Sequence, residues 1–268
     1  MTHIPDEPAP DHQGDTTDDA PDETTPEARG RSLRKAAMLT AGIGILFSVL
    51  FTIAFVLLLD LPAIDATDAE LIAYYSSPGR VRPVAVGLYL LPFAGIAFLW
   101  FIGALRLWSA ASTKRLNNLQ STLQLISGIV FVALFFVGAA SMSVLASSVQ
   151  FADGPVDPVT ARQFPIFGKT VILFFAMRMA AMFVFTSSAL GRSAKILPGW
   201  FAWVGFLVGI FLLFSATLTA ELVLVFPAWV AVLSLILLRS AREIPRDLRL
   251  PASAGGVMNP LGLPIRRR

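Results

Sequence analysis

Six apolar runs dominate the hydropathy pattern of the chain: Ala36–Leu59, Val84–Ala104, Leu123–Leu145, Phe167–Leu190, Trp200–Thr217 and Leu222–Leu238. Each has about the ~17–25 residues that a helix needs to cross a hydrocarbon core. Alternation at period two, the mark of a membrane barrel, is absent. The pattern predicts an all-α, polytopic transmembrane helix bundle with six spanning helices. The last two runs lie in a nearly unbroken apolar stretch, Leu197–Leu238, which as one helix would be roughly 63 Å long against a ~30 Å core. Thr217–Glu221 is its polar break, and a tight turn is expected there.

The polar segments set the organisation around these runs. Residues 1–32 read as a disordered acidic tail: the first 28 hold nine acids, no Lys or Arg and almost no large apolar side chains. Residues 243–268 are Pro-rich, lack a hydrophobic period and end in Arg266, Arg267 and Arg268, so they read as a disordered basic tail that can touch anionic lipid headgroups. Between them, residues 33–242 form the membrane domain. Sixteen Lys and Arg flank the runs on the side of the two tails, against four (Arg80, Arg82, Arg162 and Lys169) on the other. The positive-inside rule then puts both termini in the cytoplasm, with an even number of crossings in the cell membrane. In the longest external connection, Thr67 and Glu70 fit a capping box opening a short interfacial helix over about 67–76, with Tyr74 and Tyr75 near its end.

Composition narrows the chemistry. At 55% hydrophobic and 15% charged, the chain departs from soluble domains, which carry about 25% charged residues. Its basic residues sit at helix ends, where membrane orientation explains them better than nucleic acid does. With no Cys there is no disulfide framework, thiolate site or catalytic thiol. His3 and His12 are both in the acidic tail, so no membrane His is available for haem or an HExxH zinc site. No acid lies well inside a run, and neither a nucleophile elbow nor a phosphate or dinucleotide loop is present. No enzyme, resident cofactor or metal is expected, interfacial lipid chemistry being the exception left open.

One residue stands against the apolar background. Arg178 lies in the middle of the fourth run, roughly 17–18 Å of helix from either end. A guanidinium near the bilayer midplane costs about 2.5–3.5 kcal/mol on insertion scales, so it should face protein or water rather than lipid. Its candidate partners by depth are Ser48 in the first run, Tyr89 in the second and Glu221 at the outer end of the sixth, the last roughly 15 Å away along the axis. Carbonyls freed by Pro92 (that of Leu88) and Pro227 (that of Val223) add acceptors. Two readings follow: an outward-facing polar cavity with Arg178 at its floor and Glu221 at its rim, or an Arg tied to carbonyls and hydroxyls that fixes helix packing. Small residues four apart, such as Ala37/Ala41, Gly44/Ser48 and Ala176/Ala180, suit close packing within the bundle.

The words Glu70-Leu-Ile-Ala-Tyr-Tyr, Phe98-Leu-Trp-Phe-Ile-Gly-Ala-Leu-Arg106 and Leu197-Pro-Gly-Trp-Phe-Ala-Trp-Val-Gly205 resemble a group of actinobacterial integral membrane proteins, over about residues 33–240. That resemblance implies a six-helix bacterial inner-membrane protein without an assigned activity. The expectation is a non-catalytic membrane scaffold or accessory protein whose partners are membrane lipids and a protein met through the cytoplasmic tails. The alternative is a small-molecule or lipid binder or transporter using Arg178, Glu221, Tyr89 and Ser48.

Overall fold

The computed structural model describes residues 26–62, 65–112, 118–152, 155–194, 197–214 and 220–243. Among these there are helices and no strands. They are α1 (Pro26–Leu58), α2 (Asp68–Tyr75), α3 (Pro78–Ser112), α4 (Asn118–Met142), α5 (Val144–Ala152), α6 (Pro158–Thr170), a π turn (Val171–Ala176), α7 (Met177–Ser193), α8 (Gly199–Phe214), a 3-10 turn (Ala220–Leu224) and α9 (Val225–Glu243). Five segments are long and apolar enough to cross a membrane: Arg34–Leu58, Pro78–Leu107, Leu119–Met142, Pro158–Ser193 and Glu221–Ser240. The fifth apolar run forms α8, which at 16 residues is shorter than the others. Most of the two tails, residues 1–25 and 244–268, lies outside the described residues, whereas α1 begins at Pro26, inside the stretch expected as tail.

Every long helix overruns the apolar run that announced it, because hydropathy marks what can sit in hydrocarbon whereas helix ends follow caps and turns. The exception is the third run, which breaks early. At Ser143 the hydroxyl donates to the Ala139 carbonyl at 2.8 Å, and the chain restarts as α5. Hydroxyls that bond back to the preceding turn bend helices.

A cluster of phenylalanines holds the spans together. Phe47, Phe51 and Phe55 from α1, Phe98 and Phe101 from α3, Phe131 and Phe135 from α4, Phe183 from α7 and Phe226 from α9 are all buried. Phe98 is the hub, its ring centroid 4.6 Å from Phe47, 5.1 Å from Phe183 and 5.5 Å from both Phe131 and Phe226. Ala37, Ala41, Ala176 and Ala180 are fully buried, so the small-residue stripes serve packing inside the bundle. Where helices approach most closely the contact is backbone on backbone. A Cβ on Gly138 would lie 2.9 Å from the Gly168 carbonyl, and one on Gly168 would lie 2.8 Å from the Met142 amide nitrogen.

One end of the bundle carries a cap. The capping box of α2 is present: Glu70 accepts from the Thr67 amide at 2.7 Å while the Thr67 hydroxyl accepts from the Glu70 amide at 3.3 Å. The Thr67 amide, and then the Thr67 hydroxyl, which lies 2.9 Å from the same carboxylate, hold the Glu70 carboxyl below its usual range. Arg162 of α6 pairs with Asp68, an exposed contact that adds little stability. Tyr74 and Tyr75 are buried on the inner side of α2. The Tyr74 hydroxyl donates to the Asp60 carbonyl, with the Arg80 carbonyl 3.1 Å away, whereas the buried Tyr75 hydroxyl has no partner among the described residues.

The two phenols should therefore respond oppositely to removal of the hydroxyl. Tyr75→Phe is expected to raise stability by about 1 kcal/mol and Tyr74→Phe to lower it by about as much. Burial pushes Tyr75 up to about 12 from 10.0, and Tyr74 is raised by burial and then by the Asp60 charge. For a phenol whose folded value is raised, the stability is complete below the unfolded value and disappears above it. The cap should loosen as pH rises from about 10 through 12. Thermal melts in detergent across that range, with both variants, check the sign. Equal shifts for the two variants would contradict it.

Candidate functional site

The geometry around Arg178 begins with helix register. Gly168 and Ser187 both face α4, Gly168 against Gly138 and Ser187 as acceptor from the Gln124 amide at 2.8 Å. At about 100° per residue the nineteen steps from 168 to 187 overshoot five full turns by about 100°. A π turn accommodates one extra residue without advancing the helix face, and one sits between them at Val171–Ala176. The two contacts share a face because of that turn.

The π turn leaves an acceptor behind. The Met177 amide bonds the Ile172 carbonyl, five residues back, and α7 then resumes ordinary spacing. The carbonyl skipped in that change of step is that of Leu173. Arg178 fills it: one terminal guanidinium nitrogen donates to the Leu173 oxygen at 3.0 Å, and the guanidinium carbon lies 5.2 Å over the Phe174 ring. Proline was the sequence signal for a freed carbonyl, but the carbonyl that Arg178 meets belongs to its own helix and was freed without one.

The remaining candidates are dispersed. Ser48 is buried, with its hydroxyl returned to the Gly44 carbonyl at 2.8 Å. It lines an apolar groove of about 440 Å³ between α1 and α9 with Thr52, Leu224 and Pro227. Tyr89 is 70% exposed on the outside of α3 beside Phe93. Glu221 is exposed at the start of the 3-10 turn, and Arg162–Asp68 is the ion pair found among the described residues. Arg178 is therefore bonded to neither Ser48, Tyr89 nor Glu221. Of its five N–H donors, one is engaged by a described residue.

Sequence reasoning missed three features. The phenylalanine hub was signalled by rings four apart (Phe47, Phe51, Phe55; Phe131, Phe135), the spacing of one helix face. The Gly138–Gly168 crossing was signalled only by isolated glycines in apolar helices. The Gln124–Ser187 bond had no sequence signal, since it joins residues 63 apart. Among the described residues no group of three or more metal-ligating side chains converges. Comparison with family models, curated proteins and solved structures gave no match to this chain.

Proposed function

We propose that the chain is a multi-pass protein of a bacterial cell membrane that works by holding a protein partner and carries out no chemistry of its own. In this reading α8 is a sixth crossing and both termini are cytoplasmic. The orientation is supported by the charges at the bundle's ends: Asp60, Asp65, Asp68, Glu70, Asp157 and Glu221 belong to connections or helix starts at one end, which also carries four basic residues (Arg80, Arg82, Arg162 and Lys169). Arg34, Lys35, Arg106, Arg192, Arg239 and Arg242 belong to the other. Arg192 lies over the exposed Trp203 ring at 5.4 Å, an arrangement suited to an interfacial aromatic belt.

The observation that carries the reading is the phenylalanine hub. Five spans meet at mid-height in a packed set of nine rings, where a central path for a polar solute would run. The competing reading, an anion binder or transporter built on Arg178, Glu221, Tyr89 and Ser48, draws on residues that face separate surroundings.

Gently extracted protein is expected to run in assemblies larger than the single chain, with a reproducible second component. Liposomes holding the chain alone should take up anions no faster than empty ones. Saturable anion uptake by the chain alone, abolished by Arg178→Lys, would overturn the reading, because Lys keeps the charge but loses the planar fork.

A further inference from the structure

We propose that the outward face of α7 around Arg178 docks a membrane-spanning helix of a different protein, one that brings an Asp or Glu to the middle of the bilayer. This rests on the partner-holding reading above and names the partner's chemistry.

The argument starts from an uncompensated charge. Arg178 falls roughly halfway between the two places where its helix crosses α4, at Gly168–Gly138 and at Ser187–Gln124, so it lies at mid-height in the bundle. It is half-buried, not enclosed. Phe175 and Met182, three residues before and four after on the same stripe, are 57% and 38% exposed. The Leu173 carbonyl and the Phe174 ring give the guanidinium one hydrogen bond and a weak electrostatic contact, and neither neutralises it. An intramembrane Arg left so incompletely satisfied is expensive, and charged groups at that depth pair with one another.

The chain's own long apolar segments bring no carboxylate to this depth. Across the five long apolar segments the sole acid is Glu221, the first residue of the last one. A second copy would therefore bring no acid to this depth either. Lipid phosphate is also distant. The headgroups begin ~15 Å from the midplane. The hydrogen bond to Leu173, five residues back along the helix, carries the guanidinium only about half that way. An acidic helix laid along the Phe175–Arg178–Met182 stripe satisfies the remaining donors and covers two exposed apolar side chains together.

The test uses the full chain in vesicles of zwitterionic phospholipid. Two fluorescent leucine-rich spanning peptides serve as probes, identical except for a central Asp or Leu, with energy transfer reporting association at neutral pH. The Asp peptide is expected to bind roughly tenfold more tightly than the Leu peptide, the size of hydrogen-bonded helix pairs in model membranes. Arg178→Leu should erase that preference and Arg178→Lys should keep most of it. Phe175→Glu, which places a carboxylate one turn from Arg178 on the same stripe, should also erase it while leaving Arg178 in place. It thus decides the matter if Arg178→Leu fails to fold. Equal binding of the two peptides, or a preference that survives Arg178→Leu, overturns the proposal. So does Arg178-dependent enrichment of anionic phospholipid around the chain with no Asp preference, which assigns the charge to a headgroup. If the peptides fail while the chain still runs in larger assemblies, this docking face is wrong and the partner-holding function stands.

Discussion

Replacing Gly168 with valine is expected to open the crossing of α4 and α6, lowering stability by about 3 kcal/mol or more. Overpacking a filled site typically costs 1–3 kcal/mol, and the cost rises where the neighbour cannot turn aside. Here the neighbours are main chain: the first added carbon would stand 2.8 Å from the Met142 nitrogen and closer still to the Gly138 carbonyl. No rotamer change relieves a clash with a peptide group, so two helices must separate. Gly103 provides the control, since a Cβ there meets nothing within 4 Å. Gly103→Ala should leave the melting midpoint unchanged or raise it slightly through helix propensity. Melts of the two variants side by side in one detergent check this. A Gly168→Val protein that melts with the native chain would refute the backbone contact.

The second large effect is expected at the hub. Phe98→Ala removes a ring that touches rings from α1, α4, α7 and α9, leaving a void that no single helix can collapse to fill. Buried Phe→Ala changes in water-soluble cores cost about 3–5 kcal/mol. The lower end, about 3 kcal/mol, is the appropriate expectation here. Association of helices in lipid is driven by packing rather than by escape from water, so much of the transfer contribution drops out. Phe98→Leu retains most of the volume and should lose about 1 kcal/mol. Tyr89→Ala, on the outside of the same helix, should be nearly silent. Comparable losses at positions 89 and 98 would contradict the hub.

These expectations also show what could be read before the structure. The positions of the apolar helices were legible because a run of some twenty apolar residues has few other fates. The α2 cap was legible because a Thr three residues before a Glu is a local device, closed within one turn. Helix limits were not, since Pro158 to Ser193 carries polar residues at both ends that a hydropathy window trims away. Arg178 was visible as an anomaly, a single charge in the middle of an apolar run. Its hydrogen bond was not, because Leu173 becomes an acceptor only when α6 and α7 are held to α4 at two distant points whose spacing does not fit an ordinary helix. That constraint is tertiary and leaves no mark on the local sequence. The same holds for Ser48, whose hydroxyl is satisfied one turn back and so is unavailable as a donor to anything across the bundle.

The π turn also has a meaning for how this chain can change length. Loss of one residue between Val171 and Ala176 would convert the turn to an ordinary helical one and leave Gly168 and Ser187 on the faces they now occupy. The same loss elsewhere between those crossings would rotate one contact away from α4 by about 100°. Such a deletion would also abolish the skipped carbonyl, so that an arginine at that point would have nothing within its own helix to hold. The extra residue and the arginine are thus linked within the helix: a chain that loses the first leaves the second without its own-helix hydrogen bond, dependent on whatever meets its outward face.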